Sequence, residues 1–170
     1  MVGGGVMEYI GADASPDAKI GGAASIGVSA SLPFKSHFTA RAEIFAILRG
    51  AARVHMYSFD APLLLEVHLK PRPESPRSVP DGWFDMFVNV GVGVSLRLAA
   101  LEVTPQFRRL SHVRMYDSLA IAGAGVETKL YGREWRLEAR VQHGLVTLDD
   151  DTPALDLRIR TWLGQLGVSF

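Results

Sequence analysis

The sequence predicts an all-β fold: an eight-stranded antiparallel up-and-down transmembrane β-barrel. Three observations lead there. Period-2 alternation runs further than soluble strands allow, the connections alternate between tight and loose, and one of the two alternating faces carries almost no charge.

The first observation rests on two segments. In IGGAASIGVSASL, residues 20–32, the even positions Ile20, Ile26, Val28 and Leu32 are apolar, and the odd ones are Gly, Ala and Ser. In WFDMFVNVGVGVSLRL, residues 83–98, every even position from Phe84 to Leu98 is apolar. Those eight alternations cover about 50 Å at about 3.3 Å per residue. Ordinary globular strands stop at about 5–6 residues.

With these as anchors, strands are expected near residues 2–10, 20–32, 37–49, 54–70, 83–98, 115–130, 135–148 and 156–170. On one side they are joined by PFKS (33–36), the proline-rich PRPESPRSVPDG (71–82) and YGRE (131–134). On the other lie GADASPDAK (11–19), a short link near Gly50 to Arg53, the stretch from Ala99 to Arg114, and LDDDTPALD (148–156). An even number of hairpin-linked strands can close on itself. No linker or repeat divides the chain, so residues 1–170 are expected to form a single domain.

The bulk composition removes several functions. Eighteen basic residues balance eighteen acidic ones, so no field calls for nucleic acid. Cysteine is absent, which excludes disulfides and thiolate metal sites. No stretch reaches the roughly 18 apolar residues of a membrane-spanning helix. The opening MVGGGVMEY lacks the basic region and long apolar core of a signal peptide. An exported protein would therefore be represented here by a mature form or a fragment.

Alternation alone leaves open which face points inward. A soluble calycin-like barrel binding a hydrophobic ligand would bury its apolar face, and a membrane barrel would reverse that. One parity collects Gly, Ser and charges of both signs: Arg41, Glu43, Asp60, Glu66, Asp85, Arg97, Asp117, Glu127, Arg136, Glu138 and Arg140. Small and mutually compensating groups suit a narrow lumen. The other parity, for example Phe38, Ala40, Ala42, Ile44, Ala46 and Leu48, is free of charge along these strands. Tyr9, Tyr57, Trp83, Tyr116, Tyr131, Trp135 and Trp162 fall near strand ends, as an interfacial girdle would. The membrane arrangement is favoured.

The chain ends in RTWLGQLGVSF, with Trp162, Leu166, Val168 and Phe170 on one parity. A last strand must pair with the first so that no backbone edge faces lipid. The segment also resembles the C-terminal assembly signal of bacterial outer-membrane barrels.

Five segments carry a wider resemblance: GVSASLPFKSHFTARAEIF (27–45), FDAPLLLEVHL (59–69), YDSLAIAGAGVE (116–127), WRLEARVQHGL (135–145) and DLRIRTWLGQLGVSF (156–170). Together they resemble the outer-membrane β-barrel family that includes PorT-like and OmpA-like eight-stranded proteins. The resemblance implies the cell outer membrane of a Gram-negative bacterium and insertion by the barrel-assembly machinery. It further implies outer-membrane lipids and lipopolysaccharide as surroundings, a monomer, and no cofactor. Long loops would lie outside, with short turns on the periplasmic side. Some residues depart from the pattern. The 71–82 connection is long, Leu119, Ile121 and Leu163 are bulky on the lumen parity, and Arg158 and Arg160 share the lipid parity. A bulge near Thr161 would restore the last pair to the lumen.

Candidate chemistry is sparse. The lumen charges could gate a passage by exchanging partners, but an eight-stranded barrel is just wide enough for side chains to fill. A plugged polar core, not an open pore, is the expectation. LDDDTPALD lacks the spacing of a calcium loop, so a solvated acidic tip is expected there. His37, His55, His68, His112 and His143 form no zinc pattern, and no metal site is expected. No G-x-S-x-G sequence occurs, and GGAASIG (21–27) and AGAGVE (122–127) read as strand glycines that relieve lumen crowding. His143 lies on the lipid-facing parity near a strand's outer end, where a serine partner would suit a lipid-modifying enzyme. The chain is expected to be a structural or surface-interaction protein without catalytic activity. The soluble barrel and the lipid-modifying enzyme are its alternatives.

Overall fold

The computed structural model describes residues 1–10, 20–51, 54–71, 79–102, 108–109, 114–146 and 158–169. Its strands are β1 (Val2–Ile10), β2 (Ile20–Lys35), β3 (Phe38–Ala51), β4 (Val54–His68), β5 (Phe84–Glu102), β6 (Arg108–Arg109), β7 (Tyr116–Leu130), β8 (Arg133–Gly144) and β9 (Arg158–Ser169). Every pairing is antiparallel. The sheet runs β4-β3-β2-β1-β9-β8-β7-β5, and a β4–β5 ladder closes it. The two-residue β6 only extends the β5 edge, at Leu101 and Glu102. The fold is therefore a closed eight-stranded antiparallel barrel, without a helix among the described residues.

Closure joins the first and last strands. β1 pairs with β9 from Val2↔Leu166 to Ile10↔Arg158, with no break in register. Each backbone group along that seam finds a partner, which an open edge would deny it. Phe170 lies outside the described residues, as does the acidic 148–156 segment.

Element ends differ from expectation for local reasons. β2 continues through Pro33 to Lys35 across a register shift, so the turn falls at Ser36 and His37, and only the last residue of PFKS belongs to it. The β7–β8 hairpin turns on Tyr131 and Gly132, whose φ angles of 55° and 73° are the left-handed pair a two-residue turn demands. With the turn placed there, β8 begins at Arg133, two residues before the expected start.

The inward and outward faces follow the parity of the sequence. On β5 the even residues Val88, Val90, Val92 and Val94 are 53–64% exposed, whereas Asp85, Phe87, Asn89 and Ser95 are buried. On β3, Arg41, Glu43, Phe45, Ile47 and Arg49 are buried, while Ile44 and Leu48 face outward. This is the inverse of a soluble calycin-like barrel, and that alternative is set aside. Two details of the girdle are corrected. Tyr9 shares the inward parity of buried Met7, and Trp83 is half-buried beside the turns.

Glycine makes room for the aromatic groups inside. A Cβ on Gly125 would come within 2.4 Å of the Phe87 ring and 2.5 Å of the Leu137 carbonyl oxygen. One on Gly27 would meet the Ile44 carbonyl oxygen at 2.3 Å.

Candidate functional site

The lumen is stratified, and β3 shows the order. From the turn end it presents Arg41 and Glu43, then Phe45 and Ile47, then Arg49. Alternation alone projects these five side chains onto one face. β4, with Asp60, Leu64 and Glu66, and β7, with Asp117, Leu119, Ile121 and Glu127, repeat the sequence of charge, apolar belt and charge.

The layer nearer the turns is a hub. Arg41 reaches Glu43 at 2.9 Å, Glu66 at 3.0 Å and Glu138 at 2.7 Å. Arg140 holds Glu43 at 2.6 Å and Glu138 at 2.7 Å. Arg136 binds Glu66, Glu127 and Glu138, and its guanidinium lies 3.8 Å from the centre of the Phe87 ring. Asn89 donates to Glu138 at 2.9 Å. Three arginines therefore converge on one carboxylate. His68 adds a contact between its Nδ1 and Asp85 at 2.9 Å, and Asp85 also accepts from the Lys70 backbone N–H.

The layer nearer the loops consists of two separate pairs. Arg49 donates to Asp60 and to Ser58, each at 2.5 Å, and to Thr161 at 3.0 Å and Gln142 at 3.2 Å. Ser95 donates to Asp60 at 2.6 Å. Arg97 donates to Asp117 at 2.6 Å and to the Arg114 carbonyl, and Asp117 also accepts from the Val146 backbone N–H.

Between the layers lie two apolar groups, Ala23, Phe45, Ile47 and Leu163 on one side, Leu64, Leu119 and Ile121 on the other. Leu119, Ile121 and Leu163 were anomalies on the lumen parity. They face inward as their parity says, and they form this belt.

Of the residues singled out from sequence, Arg41, Glu43, Glu66, Asp85, Glu127, Arg136, Glu138 and Arg140 meet in the turn-side layer. Asp60, Arg97 and Asp117 sit in the loop-side layer. Trp162 and Leu166 face outward at 52% and 45% exposure, and half-buried Val168 shares their parity. Arg49 and His68 also join these layers, though they are not among the lumen charges named from sequence. Both stand on the inward parity of their own strands, so alternation carries the signal.

The final strand corrects another expectation. Pairing through β9 is continuous on both flanks, so no bulge occurs at Thr161. Arg158 and Arg160 remain on the outward parity with Trp162.

Free space is found at both ends of the described barrel. A cavity of about 320 Å³ opens at the turn end, lined in part by Ser29, Ser31, Trp83, Glu127 and Arg136. It meets the ion-paired hub there. A second gap of about 10 Å³ beside Arg49, Arg97 and Gln142 is at the lower limit for one water molecule.

No family model and no curated protein matches the chain. Among solved structures the chain is similar to the outer membrane enzyme PagL. The two are 15% identical, the superposition covers 97% of this chain and 96% of that one, and the TM-score is 0.48. That likeness is to an outer-membrane barrel and not to PorT-like or OmpA-like proteins specifically, and it adds nothing to the fold beyond what the strand pairing shows. It does correct one expectation. The expectation of a protein without catalytic activity is overturned, since the matched structure is that of an outer membrane enzyme.

Proposed function

We propose that this chain is an integral outer-membrane β-barrel with a sealed polar lumen, acting at its surfaces and not as an open pore. One observation carries the reading: the apolar parity forms the outer wall while ion-paired side chains cross the interior. In water such a wall would expose far more contiguous apolar surface than soluble monomers tolerate. In a bilayer it replaces lipid contacts at little cost, and the closed ladder satisfies the backbone. Outer-membrane lipids and lipopolysaccharide are then its neighbours, and the barrel-assembly machinery its route of insertion. The turn-side hub and the belt leave ions no continuous aqueous path. In planar bilayers the folded protein is expected to give no steady conductance. Stable single-channel steps would overturn the sealed-lumen reading.

A second reading, a lipid-modifying enzyme, is favoured by one juxtaposition on the outer face. His143 pairs with Ala120, and Ser118 stands two residues along β7 on the same outward parity. Such diagonal neighbours lie about 7–8 Å apart, close enough for side-chain rotation to bring a hydroxyl toward an imidazole. That reading predicts acyl release from lipopolysaccharide that vanishes in both His143→Ala and Ser118→Ala. Release that persists in either variant would dismiss the pair.

A further inference from the structure

Among the described residues, the loop end of the outer wall carries a charged sector. Glu8 on β1 pairs in register with Arg160 on β9, and Arg160 pairs with His143 on β8. The three form a row across adjacent strands, about 4.8 Å apart per step. Arg158 lies one outward position beyond, paired with Ile10. The row beneath is Val141, Trp162 and Val6, all apolar or aromatic. At the loop ends of β3 and β4 the outward residues are instead Leu48 and Tyr57, at 38% and 44% exposure.

The height of this row has a meaning. Between Arg133 and His143 the outward face of β8 carries only Trp135, Leu137, Ala139 and Val141. A strand advancing about 3.3 Å per residue and tilted about 40° rises about 25 Å over that stretch. That is the height of the apolar band of a membrane barrel. The row therefore sits where hydrocarbon gives way to headgroups on the loop side. The cost of a lipid-facing arginine falls away at that depth, and tryptophan is enriched there.

Within the row the pairing is loose. Arg160 meets Glu8 through a single nitrogen at 3.3 Å, with the two side chains 38% and 31% exposed. The Trp162 indole N–H reaches the same Glu8 oxygen at 3.4 Å. A guanidinium has five donors in a planar fork, so one long contact leaves most of that capacity for another acceptor. A phosphate offers the matching oxygens and the opposite charge.

We propose that Arg160, with Arg158 and His143 beside it, binds the phosphate of an anionic lipid headgroup in the leaflet on the loop side. The proposal rests on the membrane reading above. Phosphate anchors the lipid against β8, β9 and β1, and its acyl chains run down the apolar wall below. Glu8 orients the Arg160 fork from the far side.

The test uses the full chain in detergent micelles with equimolar phosphatidylcholine and phosphatidic acid, and native mass spectrometry counts the retained lipids. Phosphatidic acid is expected to be retained several-fold over phosphatidylcholine. In the Arg158→Gln/Arg160→Gln double variant the preference is expected to vanish while the heat-modifiable gel shift persists. Arg160→Lys, which keeps charge but loses the fork, should fall between. An unchanged preference in the double variant, or no preference in a wild-type barrel that has inserted, would overturn the site. Abolition of the preference by millimolar inorganic phosphate would also overturn it, because the site would then read free phosphate and not a headgroup. Insertion itself is scored separately by the gel shift, and its failure would remove the membrane reading and the site together.

Discussion

The two charged layers of the lumen contain the same chemical groups in different arrangements. Nearer the turns, Glu138 alone is shared by Arg41, Arg136 and Arg140, and each of these arginines holds a further carboxylate. Nearer the loops, Arg49–Asp60 and Arg97–Asp117 are separate pairs, completed by neutral donors and acceptors such as Ser58, Ser95 and Gln142. In a shared network, removing one member strands several partners. A discrete pair loses only its own contact. The turn-side layer is accordingly the brittle one, and the difference follows from where β8 places three consecutive inward charges, Arg136, Glu138 and Arg140.

That contrast sets the largest expected effect. Glu138→Leu deletes the carboxylate while leaving three guanidinium groups in a low-dielectric interior. Removing one partner of a buried ion pair costs about 3–5 kcal/mol, and here the loss falls at the upper end or beyond. Urea titration of the folded barrel in detergent should show a large fall in midpoint with an unchanged slope. A loss smaller than that of Arg97→Met, about 3 kcal/mol at the lower end of the range for a single buried pair, would erase the distinction between the layers.

How much of this could be read from the chain is itself unequal across the two faces. Strand number, closure and the inward charges follow from alternation, because a period of two leaves no freedom once one residue's face is known. The belt was harder. Leu119, Ile121 and Leu163 look misplaced when the lumen is imagined as uniformly polar, yet a narrow interior is filled by volume as well as by charge. Arg49 and His68 were legible by the same parity, since each faces inward on its own strand. Arg158 and Arg160 follow the same rule. Parity places them outward, and unbroken pairing through β9 keeps them there without the expected bulge. The Tyr131–Gly132 turn needed backbone geometry: YGRE marks a turn but does not say which two residues occupy its corner.

The belt also makes a quieter prediction. Phe45, Ile47, Leu64, Leu119, Ile121 and Leu163 separate the two layers with side chains that carry no charge and accept no hydrogen bond. Sites further apart than about 7–10 Å with no shared partner contribute additively, within about 0.5 kcal/mol. Glu138 and Arg97 share no ligand, since the contacts of the first are Arg41, Asn89, Arg136 and Arg140 and those of the second are Asp117 and the Arg114 carbonyl. The double variant Glu138→Leu/Arg97→Met should therefore lose the sum of the two single losses. A coupling well above about 0.5 kcal/mol would mean that the layers communicate through the belt, by a rearrangement of Arg49 or Gln142. The lumen would then be one network and not two. Additive losses would establish the belt as an insulating layer, and would locate the barrel's cooperativity in the strand ladders that carry all three layers.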